Sequence, residues 1–253
     1  MFKVLKERLS QGYRTGKFPY APPALPERFL GLPKLSPCPE GCKDCAKCQE
    51  ACPVDCISTQ DGKPSIDLGK CIFCGGCATA CKGKAIEFGK SHRLSASSRD
   101  ALLLKPGSQE PSVERDRAIK SLFGRSMKIR QVSAGGCAAC ELDFNVLHTL
   151  AWDIGRFGIQ AVASPRHADC ILITGPVTKN MKLALLKTFE AMPEPKLVIA
   201  CGSCAISGGL YADRDETCSG VGSLLHVDLF IPGCPPHPST ILDGILRLVG
   251  RIS

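Results

Sequence analysis

CKDCAKCQEACP (residues 42–53) and CIFCGGCATAC (residues 71–81) share one cysteine spacing, C-x2-C-x2-C-x3-C. Three thiolates at steps of three residues can surround one corner of an iron–sulfur cube. When two such runs occur in tandem, the fourth cysteine of each run reaches the cube of the other run. The two runs therefore predict a small α+β domain that holds two [4Fe–4S] clusters.

This crossover, typical of two-cluster ferredoxins, assigns four cysteines to each cluster. The first cluster is predicted to bind Cys42, Cys45, Cys48 and Cys81. The second is predicted to bind Cys71, Cys74, Cys77 and Cys52. Two nearby cysteines lie outside the pattern. We expect Cys56 to fill space as a small buried residue, whereas Cys38 could become a ligand if the register shifted.

The composition indicates a folded metal-binding protein and argues against a secreted disulfide scaffold. The chain has 253 residues, 17 cysteines and 44% hydrophobic residues. No run approaches the roughly 20 apolar residues of a membrane span. The first residues, MFKVLKERLS, are basic and lack the continuous apolar core of a signal peptide. We therefore expect two domains in a reducing cytoplasm, with cysteines that bind metal.

Positive charge lies outside the cysteine-rich regions. The formal net charge is +8, and residues 1–37 contribute seven basic and two acidic side chains. Residues 82–130 contribute twelve basic and five acidic side chains. An oxidised cluster with four thiolates carries about −2, so three clusters would offset most of the excess. We therefore predict no nucleic-acid partner and expect the basic segments to lie on acidic subunits or a membrane surface.

Residues 1–37 are predicted to form a basic helix and a proline-rich extended arm. Phe2, Leu5 and Leu9 fall on one face of the helix. We expect this face to pack on a partner or on its own domain, with a membrane-surface anchor as the alternative. The arm contains apolar residues such as Phe18 and Tyr20, so we expect it to lie along another protein surface.

The middle of the chain divides into two predicted segments. Residues 38–90 form the ferredoxin domain, whose pseudo-repeat predicts two short hairpins and two short helices. Residues 91–125 are polar and basic and are interrupted by Pro106, Gly107 and Pro111. They are therefore predicted as a linker with one helix near residues 112–123.

Residues 126–253 change to a pattern of alternating strands and helices. The predicted strands are 127–132, 159–163, 169–174, 196–201 and 226–231. The predicted helices are about 138–152, 178–191, 204–211 and 237–250. Short apolar runs alternating with helices indicate a parallel sheet covered on both faces. The predicted fold class is thus an α+β ferredoxin domain followed by an α/β, flavodoxin-like domain.

Several cysteines of this second domain fall at carboxyl ends of predicted strands, the edge where open α/β sheets bind ligands. Glycines accompany them and let the backbone approach an inorganic cube. They predict a third [4Fe–4S] cluster on Cys137, Cys140, Cys204 and Cys234. Spacing alone does not separate Cys204 from Cys201, and zinc held by four cysteines is the alternative. Cys170 and Cys218 are interpreted as structural.

Longer stretches carry a resemblance to a known family. Four stretches of the second domain resemble the small, cluster-bearing subunit shared by energy-converting [NiFe] hydrogenases and complex I. These stretches are GGCAACELD (135–143), FGIQAVASPRHADCILITGPVTKNM (157–181), GSCAISGG (202–209) and IPGCPPHPSTILDG (231–244). Residues 1–90, which include LGKCIFCGGCATAC (68–81), resemble the two-cluster ferredoxin subunit of the same assemblies. The whole chain resembles these two subunits of formate hydrogenlyase joined end to end.

The resemblance implies roles for individual residues. It selects Cys204 over Cys201 for the third cluster, which would lie nearest the active site of a large partner subunit. Glu141 would relay protons or form a hydrogen bond near that cluster, and Arg166 and His167 would tune it or contact the large subunit. The Cys-Ala-Ala-Cys spacing of residues 137–140 resembles hydrogenases, whereas complex I has two adjacent cysteines there.

The implied function is electron transfer in an oxidoreductase complex whose catalytic centre lies on another chain. Three [4Fe–4S] clusters would connect an electron donor to the [NiFe] hydrogenase large subunit, with further electron-transfer and membrane subunits as partners. The complex is expected at the cytoplasmic face of the inner membrane, with this chain attached peripherally. The alternatives are a complex I-like quinone or ferredoxin oxidoreductase without nickel, and a non-redox scaffold with structural zinc.

Overall fold

The structure is a computed structural model that describes residues 2–38, 46–60, 62–82, 84–114 and 116–252. Cys42 and Cys45 lie outside the described residues, so their assignment to the first cluster stays a prediction. The N-terminal helix α1 spans Phe2–Gln11 and buries none of its residues. Phe2 is 89% exposed and Leu9 is 84% exposed, so the apolar face of α1 is open to solvent.

The proline-rich arm packs on the C-terminal half of this same chain. The Arg156 guanidinium donates to the carbonyl oxygen of Gly16 at 2.8 Å and also to that of Phe18. The N–H of Gly16 donates to the carbonyl of Ala151 at 2.7 Å, and Phe18 is buried. The expectation that this part of the arm needs another protein surface is therefore wrong. Tyr20, by contrast, is 96% exposed.

The ferredoxin region is built from four short strands and two short helices. These are β1 (Pro33–Leu35), α2 (Lys47–Glu50), β2 (Ile57–Gln60), β3 (Lys63–Asp67), α3 (Gly76–Ala80) and β4 (Ile86–Phe88). Strands β2 and β3 form the first predicted hairpin. The second hairpin is absent from the described residues, because β4 pairs antiparallel with β1 from the arm.

Residues 91–125, the predicted linker, pack between the two halves of the chain. Strand β5 (Leu103–Leu104) extends the sheet of β2 and β3. Ala96 forms two backbone hydrogen bonds with Phe230, at 2.8 and 3.1 Å, and so contacts the C-terminal domain. The predicted helix is present as α4 (Arg117–Phe123), which begins where the Asp116 side chain accepts from the N–H of Ala118.

Five parallel strands form the C-terminal sheet, as predicted. They are β6 (Met127–Ser133), β7 (Ile159–Ala161), β8 (Cys170–Thr174), β9 (Leu197–Cys201) and β10 (Leu229–Ile231). The spatial order is β7-β6-β8-β9-β10. Numbered within this domain, the order is 2-1-3-4-5, that of flavodoxin-like sheets, which bind ligands at their carboxyl edge.

Four helices accompany this sheet: α5 (Ala139–Val146), α6 (Lys179–Glu190), α7 (Ser203–Ser207) and α8 (Pro238–Leu248). Helix α5 ends earlier than predicted, where the Thr149 hydroxyl donates to the carbonyl of Val146 at 2.7 Å. Helix α8 is buried along its whole length. Within the described residues, no helix is long and apolar enough to cross a membrane.

One apolar core joins the ferredoxin region to the C-terminal sheet. It contains Ile66 and Ile86 from the former and Ile171 and Val198 from the latter. A second core, which contains Leu172, packs alternate residues of the same strands against α8. The ferredoxin region and α8 therefore pack in different cores, against alternate residues of the strands. The carboxyl edge of the sheet stays available for a site.

Candidate iron–sulfur sites

The structure places Cys71, Cys74, Cys77 and Cys52, the second cysteine group, close together, and their role as cluster ligands stays a prediction. Burial, followed by the thiols of Cys71, Cys74 and Cys52, raises the pKa of the Cys77 thiol to about 11. The N–H of Phe73 donates to Cys71 Sγ at 3.3 Å. The group thus places four sulfur atoms around the short helix α3, with Cys77 buried and Cys74 exposed.

The first cysteine group is described only in part. Cys48 is buried on α2, and Cys81 is half-buried just after α3. The N–H of Ala85 donates to Cys81 Sγ at 3.2 Å. Because Cys42 and Cys45 lie outside the described residues, this set of four ligands stays a prediction.

The third group lies at the carboxyl edge of the five-stranded sheet. Cys137 and Cys140 follow β6, Cys204 lies on α7 after β9, and Cys234 follows β10. Burial, then the thiols of Cys234 and Cys137, raises the pKa of the Cys204 thiol to about 11. Burial and the other three thiols also raise the pKa of Cys140. The four thiols therefore interact with one another across three loops.

Two glycines let these sulfurs lie directly against the backbone. A Cβ atom on Gly202 would stand 2.6 Å from Cys140 Sγ, and one on Gly209 would stand 3.0 Å from Cys204 Sγ. Both distances are shorter than normal van der Waals contacts, and both glycines have positive φ angles, +93° and +55°. Residues with a side chain would push the thiols outward, so the glycines preserve the spacing of the group.

Two of the described C-x-x-C stretches, residues 71–74 and 137–140, contain a non-glycine residue in the left-handed conformation. Phe73, between Cys71 and Cys74, has a φ of +55°, and Ala138, after Cys137, has a φ of +69°. Such a conformation costs a non-glycine residue roughly 1–2 kcal/mol. Strain of this kind concentrates at functional sites, where the surroundings hold it in place.

The donor set fits a [4Fe–4S] cluster. In the described part of the chain, no three His, Cys, Asp or Glu side chains converge closely enough to hold a single metal ion. The thiols of the third group interact electrostatically. Cys140 and Cys204 are half-buried and Cys137 and Cys234 are exposed. Four thiolates held this close together repel one another and are stabilised by positive charge beside them. A cube provides this charge as four irons, one for each thiolate.

The other three cysteines of the C-terminal domain, Cys170, Cys201 and Cys218, are not part of the third cysteine group. Cys170 and Cys201 are both 0% exposed and belong to the core that packs against α8. Burial raises the pKa of the Cys201 thiol well above its usual value, with a smaller contribution from Cys140. Cys218 is half-buried in a loop. Strand β9 is buried on both faces, so its sequence shows no alternation of apolar and polar residues. Such an alternation would have marked Cys201 as a core residue and left Cys204 as the candidate ligand.

Glu141 is held beside the third group by hydroxyl groups. Thr174 Oγ1 donates to Glu141 Oε1 at 2.6 Å. Burial alone would raise the pKa of this carboxyl, but hydrogen bonds from Ser133 and Thr174 hold it below its usual value. The ionised carboxylate is therefore a hydrogen-bond acceptor at neutral pH, and a proton-relay role stays a prediction. The other residues of interest, Arg166 and His167, are exposed.

Ser203 links the second and third cysteine groups. Its side chain is 1% exposed, and its Oγ donates to the carbonyl oxygen of Cys71 at 2.6 Å. The same Oγ lies 3.1 Å from the carbonyl of Gly233, the residue before Cys234. Because Ser203 also precedes Cys204, one hydroxyl joins the ligand loops of both groups. Sequence reasoning missed this residue, although it lies within GSCAISGG.

A second set of contacts holds the same loop of the ferredoxin region. Arg99 donates to both carboxylate oxygens of Asp67, at 2.7 and 2.6 Å. Asp67 in turn accepts from the N–H of Gly69 at 2.9 Å. The hydroxyl of Ser207 on α7 donates to the carbonyl of Gly69 at 2.9 Å. The loop that leads into Cys71 is thereby fixed against α7.

Two families match parts of the chain. Residues 137–248 match the family described as NADH ubiquinone oxidoreductase, 20 Kd subunit. Residues 64–87 match the 4Fe-4S binding domain, which indicates 4Fe–4S binding in the ferredoxin region. The first match contains the whole third cysteine group, and the second contains the run from Cys71 to Cys81.

Individual relatives agree with these matches. NAD(P)H-quinone oxidoreductase subunit K of Picosynechococcus sp. is 46% identical over 119 residues, which are 47% of this chain and 49% of that protein. The probable membrane-bound hydrogenase subunit mbhJ of Pyrococcus furiosus is 37% identical over 131 residues, 52% of this chain and 78% of that protein. The chain thus spans about half the length of the subunit K relative.

Among solved structures, a chain of the membrane-bound sulfane sulfur reductase, an archaeal respiratory membrane complex, is 34% identical. The alignment covers 53% of this chain and 75% of that chain, with a TM-score of 0.46.

Proposed function

Because this chain belongs to the family of the NADH ubiquinone oxidoreductase 20 Kd subunit and also carries a 4Fe-4S binding domain, we propose that it is an electron-transfer subunit of an oxidoreductase complex. Its three cysteine groups would hold three [4Fe–4S] clusters, which supply one-electron transfer when bound. The chain itself would set the separation of the groups and donate backbone hydrogen bonds to their sulfurs, as Phe73 and Ala85 do to Cys71 and Cys81.

One observation carries this proposal: the hydrogen bond between Ser203 Oγ and the carbonyl of Cys71, at 2.6 Å. It joins the main chain of a proposed ligand of the second cluster to the residue before Cys204, a proposed ligand of the third. Cys234 lies close enough to Cys71 for the two thiols to interact electrostatically. A chain that relays electrons needs its cofactor sites this close together, whereas two independent structural metal sites do not.

We expect Ser203→Ala to slow electron transfer between the second and third clusters without removing either. The variant leaves the buried carbonyl of Cys71 without its donor, which costs roughly 1–3 kcal/mol of stability. Stopped-flow reduction of the anaerobic complex, with iron content as a check, would measure the effect. Ser95→Ala is the matched control, because Ser95 is 0% exposed but bonds to the carbonyl of Thr240. Equal rates in both variants and wild type would contradict the bridging role.

The catalytic centre is proposed to lie on a partner, the large subunit of a [NiFe] hydrogenase related to formate hydrogenlyase. The C-x-x-C spacing of Cys137 and Cys140 supports this branch, together with the hydrogenase subunit relative. In this proposal, further electron-transfer and membrane subunits complete a complex at the cytoplasmic face of the membrane, with this chain attached peripherally.

The second candidate is a complex I-like quinone or ferredoxin oxidoreductase without nickel. It is favoured by the 46% identity to subunit K of an NAD(P)H-quinone oxidoreductase. Nickel analysis of the anaerobically purified native complex separates the two candidates. Nickel near one per complex, with hydrogen evolution from reduced dye, supports the hydrogenase. Abundant iron without nickel supports the quinone or ferredoxin branch.

A further inference from the structure

Cys56 lies outside both cysteine runs, but its sulfur lies among the ligand sulfurs of the second group. The side chain is 5% exposed. Its Sγ stands 3.4 Å from Cys52 Sγ, and its N–H also donates to Cys52 Sγ at 3.4 Å. The thiol of Cys56 forms a second hydrogen bond, with the side chain of Cys71. It therefore contacts two of the four proposed ligands of the second cluster.

The internal repeat supplies a natural comparison. Cys56 stands four residues after Cys52, and Ala85 stands four residues after Cys81. Ala85 is 2% exposed, and its N–H donates to Cys81 Sγ at 3.2 Å. The backbone hydrogen bond is thus the same in both copies. At this position of the repeat the second group carries a thiol, whereas the first group carries the methyl group of Ala85.

The chemistry of the sulfurs fixes the direction of these hydrogen bonds. A cysteine that binds iron is a thiolate and carries no proton. A buried cysteine in apolar surroundings keeps its proton. Cys56 is therefore the donor, and the sulfurs of Cys52 and Cys71 are the acceptors. Donors aimed at ligand sulfurs stabilise the extra negative charge of a reduced cluster and so raise its reduction potential.

Resting on the proposed function, we propose that Cys56 is a positioning residue whose S–H hydrogen bonds to Cys52 and Cys71 raise the reduction potential of the second cluster. The second group is the one joined to the third group through Ser203. A higher reduction potential of the second cluster means that an electron shared among the clusters spends more time on it, next to the C-terminal domain. Cys56 itself is neither oxidised nor reduced, and it transfers no proton.

The test is a potentiometric titration of the anaerobically purified complex, followed by electron paramagnetic resonance. Cys56→Ala should shift one cluster to a more negative potential and leave the iron content unchanged. Because S–H is a weak donor, the reduction equilibrium should fall by up to about tenfold, which is about 59 mV for one electron. Cys56→Ser should restore part of the shift, since it keeps a donor.

Two further variants complete the design. Ala85→Cys installs the same thiol beside Cys81 and should raise the potential of the first cluster. Cys170→Ala removes an equally buried cysteine from the other domain and should shift nothing. If Ala85→Cys does not fold, the Cys56 variants still decide the question.

Each outcome decides the proposal. Unshifted potentials in Cys56→Ala would overturn it and leave Cys56 as a space-filling residue. Loss of one cluster in Cys56→Ala would also overturn it, because Cys56 would then be a ligand. Wild-type complex without the two ferredoxin-type signals would instead refute the proposed function, so the two failures are distinguishable.

Discussion

Replacing Cys204 with serine is expected to remove one of the three proposed clusters and to abolish electron transfer to the proposed large subunit. Cys204 interacts with Cys137 and Cys234 across the carboxyl edge of the sheet, and an alcohol oxygen is a poor ligand for iron at neutral pH. Iron should fall by about one third, from about twelve to about eight per chain, since each cube holds four. The ferredoxin-type signals should remain.

Cys201→Ser is the matched control for this prediction. It lies three residues away at the end of β9, is 0% exposed and belongs to the core that faces α8. The variant should be less stable because it buries a hydroxyl, but it should keep all three clusters. Full iron content in Cys204→Ser, or loss of a cluster in Cys201→Ser, would refute the assignment of the third group.

The second large effect concerns stability. Asp243→Ala should destabilise the protein by about 3–5 kcal/mol, because it leaves a buried guanidinium without its counter-charge. Arg247 Nε donates to Asp243 Oδ2 at 2.8 Å, and the two side chains are 8% and 1% exposed. For a chain of this size, the melting temperature should fall on the order of 10 °C.

This ion pair also ties the segment between the domains to α8. Arg247 donates to the carbonyls of Pro111 and Ser95, at 3.2 and 3.3 Å. Calorimetry or thermal circular dichroism would measure the loss. Replacing both partners with apolar residues, Asp243→Leu with Arg247→Met, should recover part of it, since no charge of the pair stays buried, while the carbonyls of Pro111 and Ser95 lose their donor. A melting temperature unchanged in Asp243→Ala would contradict this account of the contact.

An exposed ion pair provides the comparison. Lys187 Nζ contacts Glu190 Oε2 at 2.8 Å on α6, but both side chains are more than 60% exposed, at 68% and 62%. Water and salt screen such a pair. Lys187→Ala should therefore leave the melting temperature within experimental error, which would show that burial decides the effect of Asp243→Ala.

The sequence predicts the local structure of this protein well, because the patterns that specify strands and cysteine loops lie within short segments of the chain. Short apolar runs located all five strands of the C-terminal sheet. The cysteine spacing grouped Cys71, Cys74, Cys77 and Cys52, and the structure places these four side chains near α3; their binding of a cluster stays a prediction. The glycines that accompany the cysteines were also readable locally, since Gly202 and Gly209 lie against the sulfurs of Cys140 and Cys204.

Contacts between distant residues were not predictable in this way. Ala96 pairs with Phe230, and Ser203 bonds to Cys71, across more than 130 positions in each case. No periodicity within one segment encodes such a pair. The composition of residues 91–125 predicted a linker, but composition does not reveal that Ala96 is fully buried. For the same reason the pairing of β4 with the arm was missed.

The most direct test of the central claim is native mass spectrometry of the complex, purified without oxygen, with this subunit released in the gas phase. We expect the mass of the polypeptide plus three [4Fe–4S] clusters. A subunit that carries zinc at the third group, or only two clusters, would contradict the three-cluster relay.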